Sequence, residues 1–176
     1  MTRLIGALLL LVVGAIAAAA HGDEPRSAVV KKKAQEVGEA LKKDDYAKVV
    51  DLTYPKVVEL MGGREKMIDA LTDGMKQLKE KGFSFRSVEV GEPAEFIEGE
   101  KETFVVVPTT TEMTAPGGKI VVKSYLLGIS SDGGKAWTFI DGNGIGTVER
   151  REKILPKLPE KLKLPEPHEP EFIKEG

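Results

Sequence analysis

"LKKDDYAKVVDLTYPKVVELMGG", residues 41–63, is the stretch that decides the fold prediction, because it contains two successive helix restarts. Asp44-Asp45 offers a helix stop followed by a new N-cap, which predicts a short helix over residues 46–52. Thr53-Tyr54-Pro55 repeats this arrangement and starts a further helix, which Gly62-Gly63 ends. The side chains expected to point inward from the first of these helices are Tyr46, Val49 and Val50.

Longer amphipathic helices are predicted on both sides of this stretch. Residues 27–43 have an apolar stripe at helical spacing, formed by Val30, Ala34, Val37 and Leu41. Residues 64–81 have a second stripe, formed by Met67, Ile68, Leu71, Met75 and Leu78. Gly82 is the expected left-handed terminator of that helix.

After Gly82 the apolar period changes from helical spacing to alternation, which predicts strands near residues 83–90, 102–113, 119–129 and 135–141. Pro116-Gly117-Gly118 and Asp132-Gly133-Gly134 supply the hairpin turns. Pro108 cannot donate to a strand ladder, so we expect it at an edge or a bulge. Helices followed by a meander predict an α+β fold, with the helices packed on one face of a curved antiparallel sheet of four or more strands.

The order of these elements, from residues 41–63 to the closing strand "KAWTFIDG", resembles the nuclear transport factor 2-like superfamily. This cone-shaped fold is shared with ketosteroid isomerase, scytalone dehydratase and SnoaL-type polyketide cyclases. The resemblance covers roughly residues 27–146. Cystatin-like folds with fewer helices are a neighbouring alternative.

The first twenty residues predict export. Thr2-Arg3 is a short positive start, residues 4–13 are continuously apolar, and residues 15–20 form a small-residue stretch of alanines that contains one isoleucine, as in a secretory signal peptide. An uncleaved anchor is the competing interpretation. After cleavage we expect a periplasmic or extracellular chain without a membrane span. Its near balance of basic and acidic residues predicts no nucleic-acid partner, and the absence of cysteine means that an ordinary hydrophobic core must stabilise it.

A calcium-loop pattern lies at the end of the last predicted strand. Asp141, Asn143, Gly146 and Glu152 fit four positions of the pattern, but Ile145 occupies a fifth and has no side-chain oxygen. The preceding segment also reads as a strand, whereas an EF-hand needs a helix there. We therefore interpret the segment as a strand end and predict no metal site and no cofactor.

Catalytic residues cannot be assigned by the resemblance. The isomerase pattern implies an aspartate base with tyrosine and protonated-aspartate donors, and no spacing here matches it residue by residue. The two histidines, His21 and His168, lie outside the predicted cone, which disfavours histidine-dependent catalysis. Four residues are candidates for lining a pocket, although each also has an ordinary structural interpretation: Tyr54, Glu112, Tyr125 and Trp137.

Residues 147–176 are predicted to form a proline-rich, charged C-terminal arm of polyproline-like conformation. Its prolines are Pro156, Pro159, Pro165, Pro167 and Pro170. Its leucines are more than a spacer needs, so we expect the arm to lie on its own domain or on a partner. They are Leu155, Leu158, Leu162 and Leu164.

The function predicted from the sequence is that of an exported, non-catalytic binding or association module. It uses the concave face of the sheet to bind a small apolar molecule or to form a homodimer. The alternatives are an isomerase- or cyclase-like enzyme that uses carboxylate and tyrosine chemistry, and a protein-interaction module that uses the arm.

Overall fold

The computed structural model describes residues 23–175, so the predicted signal peptide and His21 lie outside the described residues. The helices are α1 Asp23–Lys42, α2 Tyr46–Asp51, α3 Pro55–Leu60, α4 Arg64–Glu80 and α5 Val148–Ile154. The strands are β1 Ser84–Val90, β2 Ile97–Glu98, β3 Thr103–Ala115, β4 Gly118–Ser130, β5 Thr138–Asp141 and β6 Glu171–Lys174. A 3₁₀ helix, Gly142–Ile145, follows β5. The α+β class is confirmed.

Local chemistry explains the helix restarts of residues 41–63. Asp44 adopts a φ of 57°, a left-handed conformation that aspartate tolerates and that ends α1. The Asp45 carboxylate then caps α2 by accepting a hydrogen bond of 3.0 Å from the backbone N–H of Lys48. Pro55 stands at the start of α3, and Gly62 and Gly63 end it with φ values of 88° and 101°.

The strands form one antiparallel six-stranded sheet in the order β1-β3-β4-β5. β2 pairs with the same edge of β3 as β1 does, beyond the end of β1. β6 pairs with the same edge of β4 as β5 does, but at the opposite end of that strand. β3 and β4 pair along their whole length, from Thr103 opposite Ser130 to Ala115 opposite Gly118. The prediction of an antiparallel meander is thereby confirmed, with the two additional short strands β2 and β6.

Pro108 lies inside the sheet, contrary to the expectation of an edge or a bulge, because β3 has neighbours on both sides. Its carbonyl oxygen accepts a hydrogen bond of 2.9 Å from the N–H of Gly91, at the point where the neighbouring chain leaves β1. A residue in an antiparallel strand directs its N–H and C=O to the same neighbour. The backbone nitrogen of Pro108, which has no hydrogen to donate, therefore faces the interruption between β1 and β2, where no ladder partner is required.

One face of the sheet packs against the N-terminal helices, and we call it the helix face. The buried apolar residues there are Val30, Ala34, Val37, Leu52, Val105, Val107, Leu126, Trp137 and Phe139. Gly38 permits close packing of α1 on β1, since a Cβ at that position would lie 2.9 Å from the Cβ of Val88. The predicted inward positions Val30, Ala34 and Val37 of α1 are thus confirmed as core positions, and Leu41 packs partly buried against them. The three predicted inward residues of α2 are also buried.

The opposite face, which we call the arm face, is covered by the C-terminal segment. Its buried residues are Phe104, Val106, Tyr125, Leu127, Ile129, Ile140, Ile145 and Leu155. Leu158, Leu162 and Leu164 are partly buried against them, so the arm lies on its own domain. The predicted extended conformation is wrong for residues 148–154, which are helical, and for residues 171–174, which form β6.

None of the helices within residues 23–175 is long and apolar enough to cross a membrane.

Candidate functional site

An apolar cavity of about 270 Å³ lies on the helix face, between the helices and the β4–β5 end of the sheet. The residues that line it are Val37, Leu41, Val49, Leu52, Thr53, Val57, Met67, Leu71, Leu126, Phe139, Ile140, Asp141, Gly144 and Ile154. They come from the four N-terminal helices, the sheet and α5. Concave, mostly apolar sites with few polar groups are typical of small-molecule binding.

The stretch of residues 41–63 positions one wall of this cavity. The linker between α2 and α3 runs along β5, where the N–H of Phe139 donates to Leu52 O at 2.8 Å and the N–H of Tyr54 donates to Phe139 O at 2.9 Å. These bonds pair the outer edge of β5 and hold Thr53 and Leu52 against the sheet. The side chain of Leu52 therefore reaches the cavity floor beside Phe139.

Helix α4 forms the outer wall, and it is packed loosely. Met75 is the only residue of α4 that is buried, whereas Met67, Ile68 and Leu71 are half-buried and Leu78 is 37% exposed. Met67 and Leu71 both line the cavity. A helix of 17 residues with one buried side chain leaves unfilled space beneath its apolar stripe, and this space is the cavity.

Among the lining residues that the structure describes, Asp141 is the only charged one. It is the last residue of β5 and lies on the same side of the strand as Phe139, because side chains two residues apart share a face. Its Oδ1 accepts a hydrogen bond of 2.7 Å from the backbone N–H of Asn143, so the carboxylate also caps the 3₁₀ helix. Asp141 thus has a structural role in addition to any contact with a ligand.

The environment of Asp141 favours its neutral form. Desolvation by the surrounding protein atoms raises the pKa of this carboxyl above its usual value, and the hydrogen bonds from Asn143 oppose the rise without cancelling it. Asp141 as a whole is nevertheless exposed to solvent. Both observations agree if the carboxyl stands at the cavity mouth, where atoms surround it but solvent can enter.

The four pocket candidates from the sequence do not meet in this cavity. The Tyr54 hydroxyl donates to Glu102 Oε1 at 3.0 Å in a separate groove, and desolvation, followed by the hydrogen bond to Glu102, raises the pKa of Tyr54 to about 12. Glu112 accepts a hydrogen bond of 2.8 Å from Lys119 Nζ. Neither residue lines the cavity of the helix face.

The other two candidates are core residues. Trp137 is 2% exposed, donates from Nε1 to Gly134 O at 3.0 Å, and stacks at a tilt on Phe96 with ring centroids 5.7 Å apart. Tyr125 is 5% exposed and lies on the arm face. Whether any of the four contacts a ligand stays a prediction.

Sequence reasoning named the α4 stripe and Asp141 but did not bring them together. Leu71 and Met67 were predicted as ordinary core residues, and Asp141 was considered for calcium. A usable signal was the alternation in "TFID", which puts Asp141 on the same face of the strand as Phe139. Helix α4 carries more apolar residues than the short helices α2 and α3 can cover. This excess could be recognised only from the three-dimensional structure.

The calcium-like pattern is divided between separate elements. Asp141 and Asn143 belong to the cap of the 3₁₀ helix, and Glu152 lies in α5. Within residues 23–175 no group of three or more histidine or acidic side chains is arranged to hold a metal ion.

A scan against protein-family models and searches of curated proteins and of solved structures found no match. The superfamily resemblance stays a prediction.

Proposed function

We propose that this protein is an exported, non-catalytic module that binds a small, mostly apolar molecule in the cavity of the helix face. The observation that carries the proposal is the lining of that cavity, which is apolar apart from Asp141, Thr53 and backbone groups. We also propose that this cavity corresponds to the interior of the cone in the fold that the sequence resembles. Export is proposed from the signal-peptide pattern of residues 1–20.

The single carboxyl suggests the chemistry of the ligand. Apolar side chains of the floor, including Leu52, Leu126 and Phe139, remove the body of the ligand from water at about 25 cal/mol per Å² of apolar surface. Asp141 at the mouth accepts a hydrogen bond from one hydroxyl or amino group of the ligand. We therefore propose an apolar body with one hydrogen-bond donor at its end.

The positions of the tyrosines support binding without catalysis. The isomerase-type alternative needs a tyrosine hydroxyl beside the cavity carboxyl. Within residues 23–175, Tyr46 donates to Asp44 at 2.7 Å, Tyr54 donates to Glu102, and Tyr125 lies on the arm face. None of them lines the cavity with Asp141.

The test of binding uses two substitutions on the same helix. Leu71→Trp fills the cavity, whereas Leu78→Trp adds the same side chain at an exposed position of α4 that does not line it. We expect medium-chain alcohols and amines, titrated by ¹⁵N–¹H NMR, to shift the amides of residues 52, 71, 126 and 139 in the wild type. Binding should be lost in Leu71→Trp and kept in Leu78→Trp. Equal binding by both variants, or no binding by the wild type, would reject the proposal.

The enzyme alternative has one observation in its favour, the raised pKa of Asp141 in an apolar site. A carboxylate base of this type would exchange the α-protons of a cyclic ketone with solvent deuterium. We expect no exchange above background for the wild type in deuterated buffer. Exchange that disappears in Asp141→Asn would replace the binding proposal with the enzymatic one.

A further inference from the structure

A second groove, of about 260 Å³, lies at the junction of the sheet and the C-terminal arm and is separate from the cavity of the helix face. Its wall on the sheet side is formed by β3 and β4, and its outer wall by residues 165–168 of the arm. We call it the arm groove.

The arm groove exists because prolines stop the arm from continuing β6. β6 pairs with β4 from Val121 opposite Glu171 to Gly118 opposite Lys174. On the other side of the gap, β5 pairs with β4 only from Leu126 onward. Continued pairing would bring residues 167–170 opposite residues 122–125, but Pro167 and Pro170 have no N–H to donate. The arm therefore stands away from β4 here.

The gap leaves polar backbone groups of β4 available. Backbone groups of an antiparallel strand alternate between its two neighbours, so about half of those in residues 122–125 point toward the groove. No backbone hydrogen bond joins them to the arm within residues 23–175. Groups of this kind need water or a ligand as partner.

The Tyr125 hydroxyl is a second group that points to a ligand. The residue is 5% exposed, yet within the described part of the chain its hydroxyl has no hydrogen-bond partner and is not enclosed away from solvent. It reaches solvent where Tyr125 lines the groove. The Tyr125 ring packs directly against the backbone of Gly142. No side chain would fit there, since a Cβ at Gly142 would lie only 2.5 Å from Tyr125 Cε1.

The surrounding side chains determine what could bind. Asn143 Nδ2 donates to Ser124 Oγ at 3.2 Å, which leaves the serine hydroxyl free to donate and the amide oxygen free to accept. His168 adds a ring that can donate and accept. Lys123 and Glu166 both line the groove and carry opposite charges. The site thus offers groups that both donate and accept, without a net charge that would select an ion.

Proline rings give the groove its apolar surface. Pro108 lies on the sheet side, and Pro165 and Pro167 lie on the arm side. A strand-like peptide does not suit this space, because β5 and the 3₁₀ helix close one end and β6 occupies the other. Hydroxyl groups that donate and accept, on a ring with apolar C–H faces, match the lining better. We propose that the arm groove binds a neutral sugar, one pyranose ring in size.

The test is an NMR titration of the whole domain with neutral monosaccharides and with their methyl glycosides. Binding in the groove should shift the amides of Lys123, Ser124, Tyr125 and Asn143 along one saturation curve. Binding of the methyl glycosides would identify the end of a glycan as the ligand, and binding of free sugars alone would identify a free monosaccharide. Both results support the proposal.

Tyr125→Phe removes the hydroxyl and keeps the ring, so affinity should fall roughly 5-fold with the fold intact. Tyr54→Phe is the matched control, since it removes a hydroxyl from a different groove, and its affinity should equal that of the wild type. Gly142→Ala should displace the Tyr125 ring and weaken binding as well.

Three results would overturn the proposal: no shift of the groove amides with any sugar, equal affinity in Tyr125→Phe, or the same shifts at lower concentrations of inorganic phosphate. The cavity of the helix face shares no lining residue with this groove. Leu71→Trp should therefore leave sugar binding unchanged, which separates the two proposals.

Discussion

The two faces of the sheet are covered in different ways. On the arm face, Leu127 and Ile145 are fully buried in a cluster with Leu155, and the arm stands away from the sheet farther along the chain, at the arm groove. On the helix face, α1 packs closely around Val30 and Ala34, but α4 stands off and leaves the cavity. A regular helix cannot follow the surface of a twisted sheet along its whole length, whereas an extended chain can adjust residue by residue.

This difference also explains the composition of the central strands. "FVVV" in β3 and "LLGI" in β4 are continuously apolar, and successive residues belong alternately to the two clusters, except that Gly128 belongs to neither. A strand with one wet face alternates between apolar and polar residues, so an uninterrupted apolar run indicates that both faces are covered. The helices cover one face, and the arm supplies the second cover.

Removing the arm should have the largest effect. Deletion of residues 155–176 takes away buried Leu155 and three half-buried leucines, each worth up to about 1.5–3 kcal/mol when fully buried. We expect the free energy of unfolding to fall by roughly 5 kcal/mol, a large share of the stability of a domain of this size. Urea denaturation followed by Trp137 fluorescence measures it.

The control for this deletion is the shorter truncation of residues 171–176, which removes exposed β6 but keeps the leucines. It should lower the melting temperature much less. If the long deletion leaves the melting temperature unchanged, the arm is not docked and the comparison of the two faces fails.

A pair of leucine truncations compares the faces directly. Leu127→Ala empties a fully buried position on the arm face and should cost about 3 kcal/mol. Leu71→Ala enlarges a space that is already open, at a half-buried position, and should cost about 1 kcal/mol or less. Equal losses in chemical denaturation would mean that the helix face is as closely packed as the arm face.

The smallest effect is electrostatic and belongs to the cavity mouth. A carboxyl whose folded-state pKa is raised binds its proton more tightly in the folded state, so stability falls as pH rises from 3.8 through the raised pKa of Asp141. Asp141→Asn removes this ionisation and keeps a side chain that is an equally good helix cap. The variant should therefore gain stability relative to the wild type between acidic and neutral pH.

Asp132 is the matched control with the opposite sign. Backbone hydrogen bonds, first from Ala136, and the Ser130 hydroxyl lower the pKa of Asp132, so its contribution is present above the unfolded value and is lost as pH falls through the folded one. Asp132→Asn should lose stability relative to the wild type as pH rises. A parallel pH dependence of the two variants, measured by thermal denaturation, would contradict the assigned environment of Asp141.

Most of the fold was predictable from local signals. The N-cap at Asp45, the proline of α3 and the turn at Pro116-Gly117-Gly118 act within a few residues, so their consequences can be read in order along the chain. β6 was missed because its pairing with β4 joins residues about fifty positions apart and follows a proline-rich segment. Helix α5 was not predicted because the prolines from Pro156 onward indicate an extended arm, although residues 148–154 contain no proline and can form a helix.

The site was less predictable than the fold. Tyr54, Glu112, Tyr125 and Trp137 were chosen by residue type, and type alone does not say which face or groove a side chain enters. Asp141 illustrates this limit: its sequence neighbours suggested a calcium loop, whereas the desolvation that raises its pKa and the cavity that it lines with Leu71 arise from tertiary packing.

The sequence by itself determined the order of elements, the antiparallel pairing of the central strands and the need for an ordinary core in a chain without cysteine. These follow from periodicity, capping and turn chemistry, which are local. Only the tertiary structure decided that the arm closes one face of the sheet, that α4 leaves a cavity on the other, and that a gap opens between β5 and β6. Empty space and unpaired strand edges depend on how elements that are far apart in the chain pack together, so no local pattern encodes them.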